Sequence, residues 1–349
     1  MLKASFVKYP LAFKKPSGTS RGILTKKNSW LLKIFDDANP AVFGLGEASI
    51  IEGLSIDLPS QMEDMLDWVV RHITQPYDAI MAHLTDFPSI LMAVEMAFLD
   101  LKNGGNRIWF KSPLTKQDQP IKINGLIWMG DKDFMLQQIE DKLQLGFSCL
   151  KMKIGAINFQ QEIAILRSIR QRYDEHDLEL RVDANGAFST EEAPDKLNQL
   201  ASLDLHSIEQ PIQQNQISAM AELCAATPLP IALDEELIGV RTPQDKKTLL
   251  ETINPQYIIL KPSLLGGFSA TYEWIELAGE MSIPWWITSA LESNVGLTAI
   301  AQFTSQFYNP LPQGLGTGQL YTNNIPCPLQ LKGEMLFHDS SLSWELPNF

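Results

Sequence analysis

The feature of this chain that most restricts its fold is a set of five charged residues at nearly even steps, each closing a short apolar segment. They are Lys153 in CLKMKIG, Asp183 in LELRVDANG, Glu209 in LHSIEQP, Asp234 in PIALDEEL and Lys261 in YIILKPS. The steps between them are 30, 26, 25 and 27 residues. A step of that length holds one strand, one helix and two short loops. Parallel strands built this way all point in one direction, so charges at their downstream ends gather at one mouth. Three carboxylates flanked by two lysines have the makeup of a metal-assisted proton-transfer site.

From INGLIWMG (123–130) onward the chain alternates strand-like and helix-like segments. Strand candidates are LIWMG, CLKMKIG, LELRVD, LHSIEQ, PIALDE, YIILKPS, PWWITSA and, less regularly, QGLGTGQL. Helix patterns fill the gaps. In NFQQEIAILRSIRQRY, for example, Phe159, Ile163, Leu166, Ile169 and Tyr173 share one face. The fold expected for residues 121–320 is α/β, a (β/α)8-type (modified TIM) barrel with right-handed connections.

Residues 1–120 read as an N-terminal α+β capping domain. The first 50 or so residues read as a β-meander: KASFVKYPLAF and WLLKIF are strand-like, PSGTSRG between them reads as a mobile loop, and GLGEAS closes this part. Helices are expected over 61–73 and 89–103, with Ser60 and Ser89 as caps and Asn103-Gly104-Gly105 as a stop. The segment 321–349 is expected to return to the cap.

Composition removes several partner classes. With 28 Lys+Arg against 41 Asp+Glu, the net charge of −13 is opposite to what nucleic acid or an anionic membrane surface attracts. No apolar run reaches the length of a membrane span, and the N-terminus has no secretory pattern. Cys149, Cys224 and Cys327 are odd in number and widely spaced, as thiols of a reducing compartment are. A cytoplasmic protein acting on a small-molecule carboxylate is expected; the sequence does not set an oligomeric state.

Three adjacent carboxylates at one mouth repel each other and are costly to bury without a cation. A lone Asp at a strand end is more often structural, so it is the set of Asp183, Glu209 and Asp234 that points to a metal. All-oxygen ligands suit a hard ion, Mg²⁺ first and Mn²⁺ second. Lys153 and Lys261 would flank that metal, and a desolvated lysine beside a divalent cation is expected to have a lowered pKa and act as a base. Lys151 shares a strand face with Lys153 and is a candidate contact for substrate or base.

The run KMKIG, RVDANG, SIEQPI, ALDEEL and ILKPSLLGG resembles the muconate-lactonizing subgroup of the enolase superfamily. The resemblance covers nearly the whole chain and implies Mg²⁺, a lysine that removes the proton α to a carboxylate, and stabilisation of the anion that forms. It implies that Asp183, Glu209 and Asp234 are metal ligands, that Lys153 is the base, and that Lys261 stands on the opposite face. Asn185 and Glu235 would orient these groups. The segments ITSALESNVGLTAIAQ and PQGLGTGQLY resemble those of the subgroup's o-succinylbenzoate synthases, dehydratases of menaquinone biosynthesis. Dipeptide epimerases of the subgroup carry an Asp-x-Asp in the eighth strand to hold an ammonium; GLGTGQL has no acid.

The implied reaction is Mg-dependent syn-dehydration of 2-succinyl-6-hydroxy-2,4-cyclohexadiene-1-carboxylate. Ser289, Gly316 and Gly318 would let backbone N–H groups approach a carboxylate, or else simply pack at the rim. Arg21 is a candidate substrate contact or a surface charge. N-acylamino-acid racemase, dipeptide epimerase and muconate cycloisomerase are the alternatives within the subgroup, and a non-catalytic barrel scaffold is the alternative outside it.

Overall fold

The computed structural model describes residues 1–19, 22–117, 119–155 and 157–348. Five strands open the chain: β1 (Leu2–Lys8), β2 (Leu11–Thr19), β3 (Gly22–Lys27), β4 (Ser29–Asp36) and β5 (Asn39–Ser49). They form an antiparallel sheet in the order β1-β4-β5 and a separate β2–β3 hairpin. PSGT therefore belongs to a strand, not to the expected loop. Ser17 pairs with Leu24 and Gly18 with Ile23, after a register shift from Ala12. Gly18 also bridges to Met129 of the barrel, and a Cβ there would meet Met129 O at 2.8 Å, so the missing side chain lets the hairpin press on the barrel.

Three helices follow, α1 (Met62–His72), α2 (Tyr77–His83) and α3 (Pro88–Lys102). Met62, Leu66 and Val69 of α1 and Ile90, Ala93, Val94 and Ala97 of α3 join Leu32 and Ile34 in the cap core. Neither serine caps as expected. Gln61 precedes α1 and Phe87 precedes α3, both without a side-chain cap. Ser89 lies inside the first turn of α3, where Asp57 accepts its N–H (3.2 Å) and its hydroxyl (2.8 Å). The helix start is thus satisfied from 32 residues away.

After the one-turn α4 (Pro113–Lys116) and the two-residue β6 (Ile121–Lys122), the barrel strands are β7 (Gly125–Ile127), β8 (Cys149–Lys153), β9 (Glu179–Asp183), β10 (Ser207–Glu209), β11 (Ile231–Leu233), β12 (Tyr257–Leu260) and β13 (Trp285–Ile287). They form one parallel sheet in sequence order. Helices α5 (Lys132–Gln144), α6 (Phe159–Arg170), α7 (Ala193–Ala201), α8 (Ile217–Ala226), α9 (Pro243–Ile253), the short α10 (Pro262–Leu265), α11 (Gly267–Glu280) and α12 (Asn294–Thr304) lie between and after them. The expected eighth strand, QGLGTGQL, is not a regular strand. Only Gln313 and Gly314 pair, with Ile123 on one side and Thr288 on the other, and Gly316–Gln319 forms a 3-10 turn. Three glycines in seven residues give a strand little to pack.

Beyond this turn the chain runs along the cap hairpin. Lys14 N–H meets Leu320 O at 2.8 Å and Thr322 N–H meets Ala12 O at 2.9 Å. Strand β14 (Leu329–Lys332) then pairs with β15 (Met335–His338), which pairs on its other side with β6. The three cysteines are free and buried. No helix among the described residues is long and apolar enough to cross a membrane.

Candidate active site

The sheet register itself brings the five charges together. Lys153 is the Cα partner of Asp183, and Asp183 is the partner of Glu209. Asp234 and Lys261 directly follow the next two strands. Asp183, Glu209 and Asp234 are almost wholly buried. Each carboxylate is met by ammonium groups. Lys153 Nζ lies 3.0 Å from Asp183, Lys151 Nζ lies 2.5 Å from Glu209 and 3.3 Å from Asp183, and Lys261 Nζ pairs with Asp234 and lies 3.5 Å from Glu209.

These pairs set the charge states. Burial disfavours the Lys261 ammonium, but Asp234 and Glu209 overcome it and hold its pKa well above the ordinary lysine value. Lys151 is raised in the same way, by Glu209 and Asp183 against burial. Both shifts arise because ammonium and carboxylate are in direct contact. Burial also works against the Asp183 carboxylate, yet Lys153 and Lys151 pull it below the usual range. Glu209 goes the other way: burial and the neighbouring Asp183 push it up to about 7.

Lys153 is also held from the side. Its Nζ donates to Asn185 Oδ1 at 2.7 Å, and Asn185 Nδ2 donates to Glu235 Oε1 at 3.0 Å. Asn185 reaches this position with a left-handed backbone (φ 44°) and its own N–H bound to Asp183. One supporting residue was missed by sequence reasoning. Gln210, fully buried, accepts from Asp234 N–H (3.2 Å) and donates to Glu236 (3.1 Å), fixing the turn that presents Asp234. Its signal was only its place beside Glu209.

The site opens into a cavity of about 90 Å³ lined by Lys151, Lys153, Asp183, Asn185, Lys261, Ser289 and Gly316. Leu24, Ile51 and Leu54 of the N-terminal region form an apolar wall, which the charge pattern could not foretell. Glu209 and Asp234 are not on the cavity surface; they lie against Lys151 and Lys261. The Ser289 N–H is spent on Gly314 O (3.0 Å), so the backbone contact expected there is taken within the protein. Its hydroxyl donates to Glu292 (2.6 Å) and accepts from Thr317 (2.8 Å). Gly318 is not part of this lining, and Arg21 lies outside the described residues. The sole acid lining the cavity is Asp183 among the described residues.

Among the described residues no three Asp, Glu, His or Cys side chains close into a metal cage. The ammonium groups of Lys151 and Lys261 stand between the carboxylates and supply the positive charge that buried anions require. By donor type, three carboxylates are the oxygen ligands a hard divalent cation takes.

Residues 135–335 match the family described as enolase C-terminal domain-like. The chain is 48% identical to the o-succinylbenzoate synthase of Desulfotalea psychrophila, over 96% of this chain and 98% of that protein. It is similar to the crystal structure of MenC from the same organism, with a TM-score of 0.85, 45% identity and coverage of 96% and 99%. The dipeptide epimerase of Enterococcus faecalis, solved with Mg and the dipeptide L-Leu-L-Tyr, shares the fold at a TM-score of 0.84 and 18% identity, over 96% of each chain. The chain belongs to the enolase superfamily, in the family of the o-succinylbenzoate synthases.

Proposed function

We propose that this chain dehydrates 2-succinyl-6-hydroxy-2,4-cyclohexadiene-1-carboxylate to 2-succinylbenzoate, a step of menaquinone biosynthesis. The observation that carries the reading is the convergence of Lys153 and Lys261 on one cavity with Asp183, in a chain 48% identical to a relative of that activity. Residues 1–120 serve as the cap, 121–320 as the catalytic barrel and 321–349 as a return segment.

Asp183, Glu209 and Asp234 are the residues that would hold Mg²⁺, with Mn²⁺ as the chemical alternative. When bound, that ion supplies Lewis-acid stabilisation of negative charge on the substrate carboxylate. Lys153, in its neutral form, takes the ring proton α to that carboxylate. The electron pair left behind expels the neighbouring hydroxyl, and Lys153 returns its proton to the departing oxygen, so water leaves and the ring becomes aromatic. One lysine serving both transfers places them on the same face, as a syn elimination requires. Lys261, held protonated by Asp234 and Glu209, faces the anionic intermediate and stabilises it. Asn185 and Glu235 orient Lys153. Among the described residues the cavity contains no acid suited to a substrate ammonium beyond Asp183, which favours this substrate over a dipeptide.

Purified protein incubated with the cyclohexadiene substrate should form 2-succinylbenzoate, lose that activity in EDTA and regain it with Mg²⁺. Absence of product in the presence of Mg²⁺, or full activity in EDTA, would overturn the reading.

A further inference from the structure

Among the described residues, the backbone hydrogen bonds that close the barrel lie at its lower edge. Gln313 N–H meets Lys122 O at 2.9 Å and Asn124 N–H meets Gln313 O at 3.0 Å. Above Asn124, β7 is the last strand of its sheet, because the chain at Gly316–Gln319 turns away in a 3-10 turn. A slot remains between β7 and that turn. Beside the active-site cavity lies a second one of about 270 Å³, and the two share Asn124, Leu126, Trp128, Gly316 and Thr317 as lining.

The second cavity combines apolar walls with a cationic rim. Phe134, Phe147 and Leu331 line it, together with Lys14 and Lys15 of β2 and Lys142 of α5. No Asp or Glu lines it among the described residues. At the mouth of the barrel every lysine is ion-paired, but these three have no carboxylate within ion-pair distance among the described residues. Lys142 is half-buried, with its Nζ 4.8 Å from the Phe147 ring centre. Such a grouping of unpaired cations is notable in a chain of net charge −13.

We propose that this slot is a second anion subsite that takes an aliphatic carboxylate arm, namely the succinyl arm of the substrate, an inference that rests on the reaction proposed above. The methylene groups lie against the aromatic walls, and the arm's carboxylate is met by Lys142 from the barrel and Lys14 and Lys15 from the cap hairpin. The ring carboxylate binds at the strand ends. Two anionic ends held in two separate places leave the ring one orientation, with its α-proton toward Lys153. Because Lys14 and Lys15 belong to the hairpin and Lys142 to the barrel, a bound arm also draws the two together.

The test compares 2-succinylbenzoate with benzoate, which lacks the arm. Both would be titrated calorimetrically into Mg²⁺-loaded protein, wild type, Lys142→Gln, and the double variant Lys14→Gln/Lys15→Gln. Loss of a charged hydrogen-bond partner should weaken 2-succinylbenzoate roughly tenfold in each variant and leave benzoate unchanged. The KM for the cyclohexadiene substrate should rise by a similar factor, with a much smaller change in kcat. Equal weakening of both ligands, or none in any variant, would overturn the subsite. Turnover without lysine-dependent discrimination removes the subsite and keeps the reaction. Lysine-dependent binding without turnover removes the reaction and keeps the subsite.

Discussion

At the barrel mouth Asp183, Glu209 and Asp234 are buried against ammonium groups, whereas in and around the cap Glu47, Glu95 and Asp57 are buried against N–H and O–H donors. Glu95 accepts from Phe268 N–H (2.6 Å), Ser269 N–H (3.0 Å) and the Ser269 hydroxyl, tying α3 to α11. Gly267 makes this approach possible, since it has φ +93° and a side chain there would run into the Glu95 carboxylate. Glu47 likewise binds Ser293 N–H (2.8 Å) and Gly296 N–H (2.7 Å) at the start of α12. Backbone donors are fixed in direction and leave no charge to exchange, so these carboxylates cement elements together. Lysine ammonium groups sit on flexible stems and can give way to another cation or to a substrate. Equally buried acids thus do different work according to what answers them.

The comparison breaks most visibly if the lysines are removed. Lys153→Ala should lower kcat by ~10³-fold or more with an unchanged circular-dichroism spectrum, and near-wild-type turnover would remove it from the proton-transfer role. Glu95→Ala should do the reverse. Two backbone N–H groups lose their acceptor, so stability should fall by roughly 2–4 kcal/mol in urea unfolding while kcat of the folded protein is retained. A loss of kcat with stability intact would erase the distinction drawn between the two regions.

The smallest effect sharpens the cap side through pH. Burial raises the Asp57 pKa from 3.8 to about 6, against the bonds it receives from Ser89. Folded protein therefore holds this proton more tightly than unfolded protein does. The stability it contributes is complete below about pH 4 and is lost as pH rises through about 6. Asp57→Asn keeps an acceptor for Ser89 and should remove that loss, raising stability at pH 7 by up to about 3 kcal/mol. Parallel stability–pH curves for the two proteins would show that Asp57 does not titrate in this range.

Much of the active site was legible because its charges recur at the period of a βα unit. Lys153, Asp183 and Glu209 needed only a parallel register to become neighbours. The caps of α1 and α3 were misread because local sequence offered serines, while the acceptor for α3 came from Asp57 in another segment. PSGTSRG read as a loop from its composition, yet contact with Met129 holds part of it as a strand. The weak eighth segment carried a real signal, since its glycines fit a turn better than a strand.

The sequence by itself determined the barrel, the order of its strand-end charges and the absence of an eighth-strand acid, since each follows from residue type and spacing along the chain. Only the tertiary structure decided that Lys151 and Lys261 stand between the carboxylates, that Gln210 fixes Asp234, and that β7, paired with β8, is the edge strand of its sheet beside Gly316. It also decided that Lys14 and Lys142, 128 residues apart, share one cavity. Those arrangements depend on how distant segments pack, and burial, pairing and cavity shape exist only once that packing is complete.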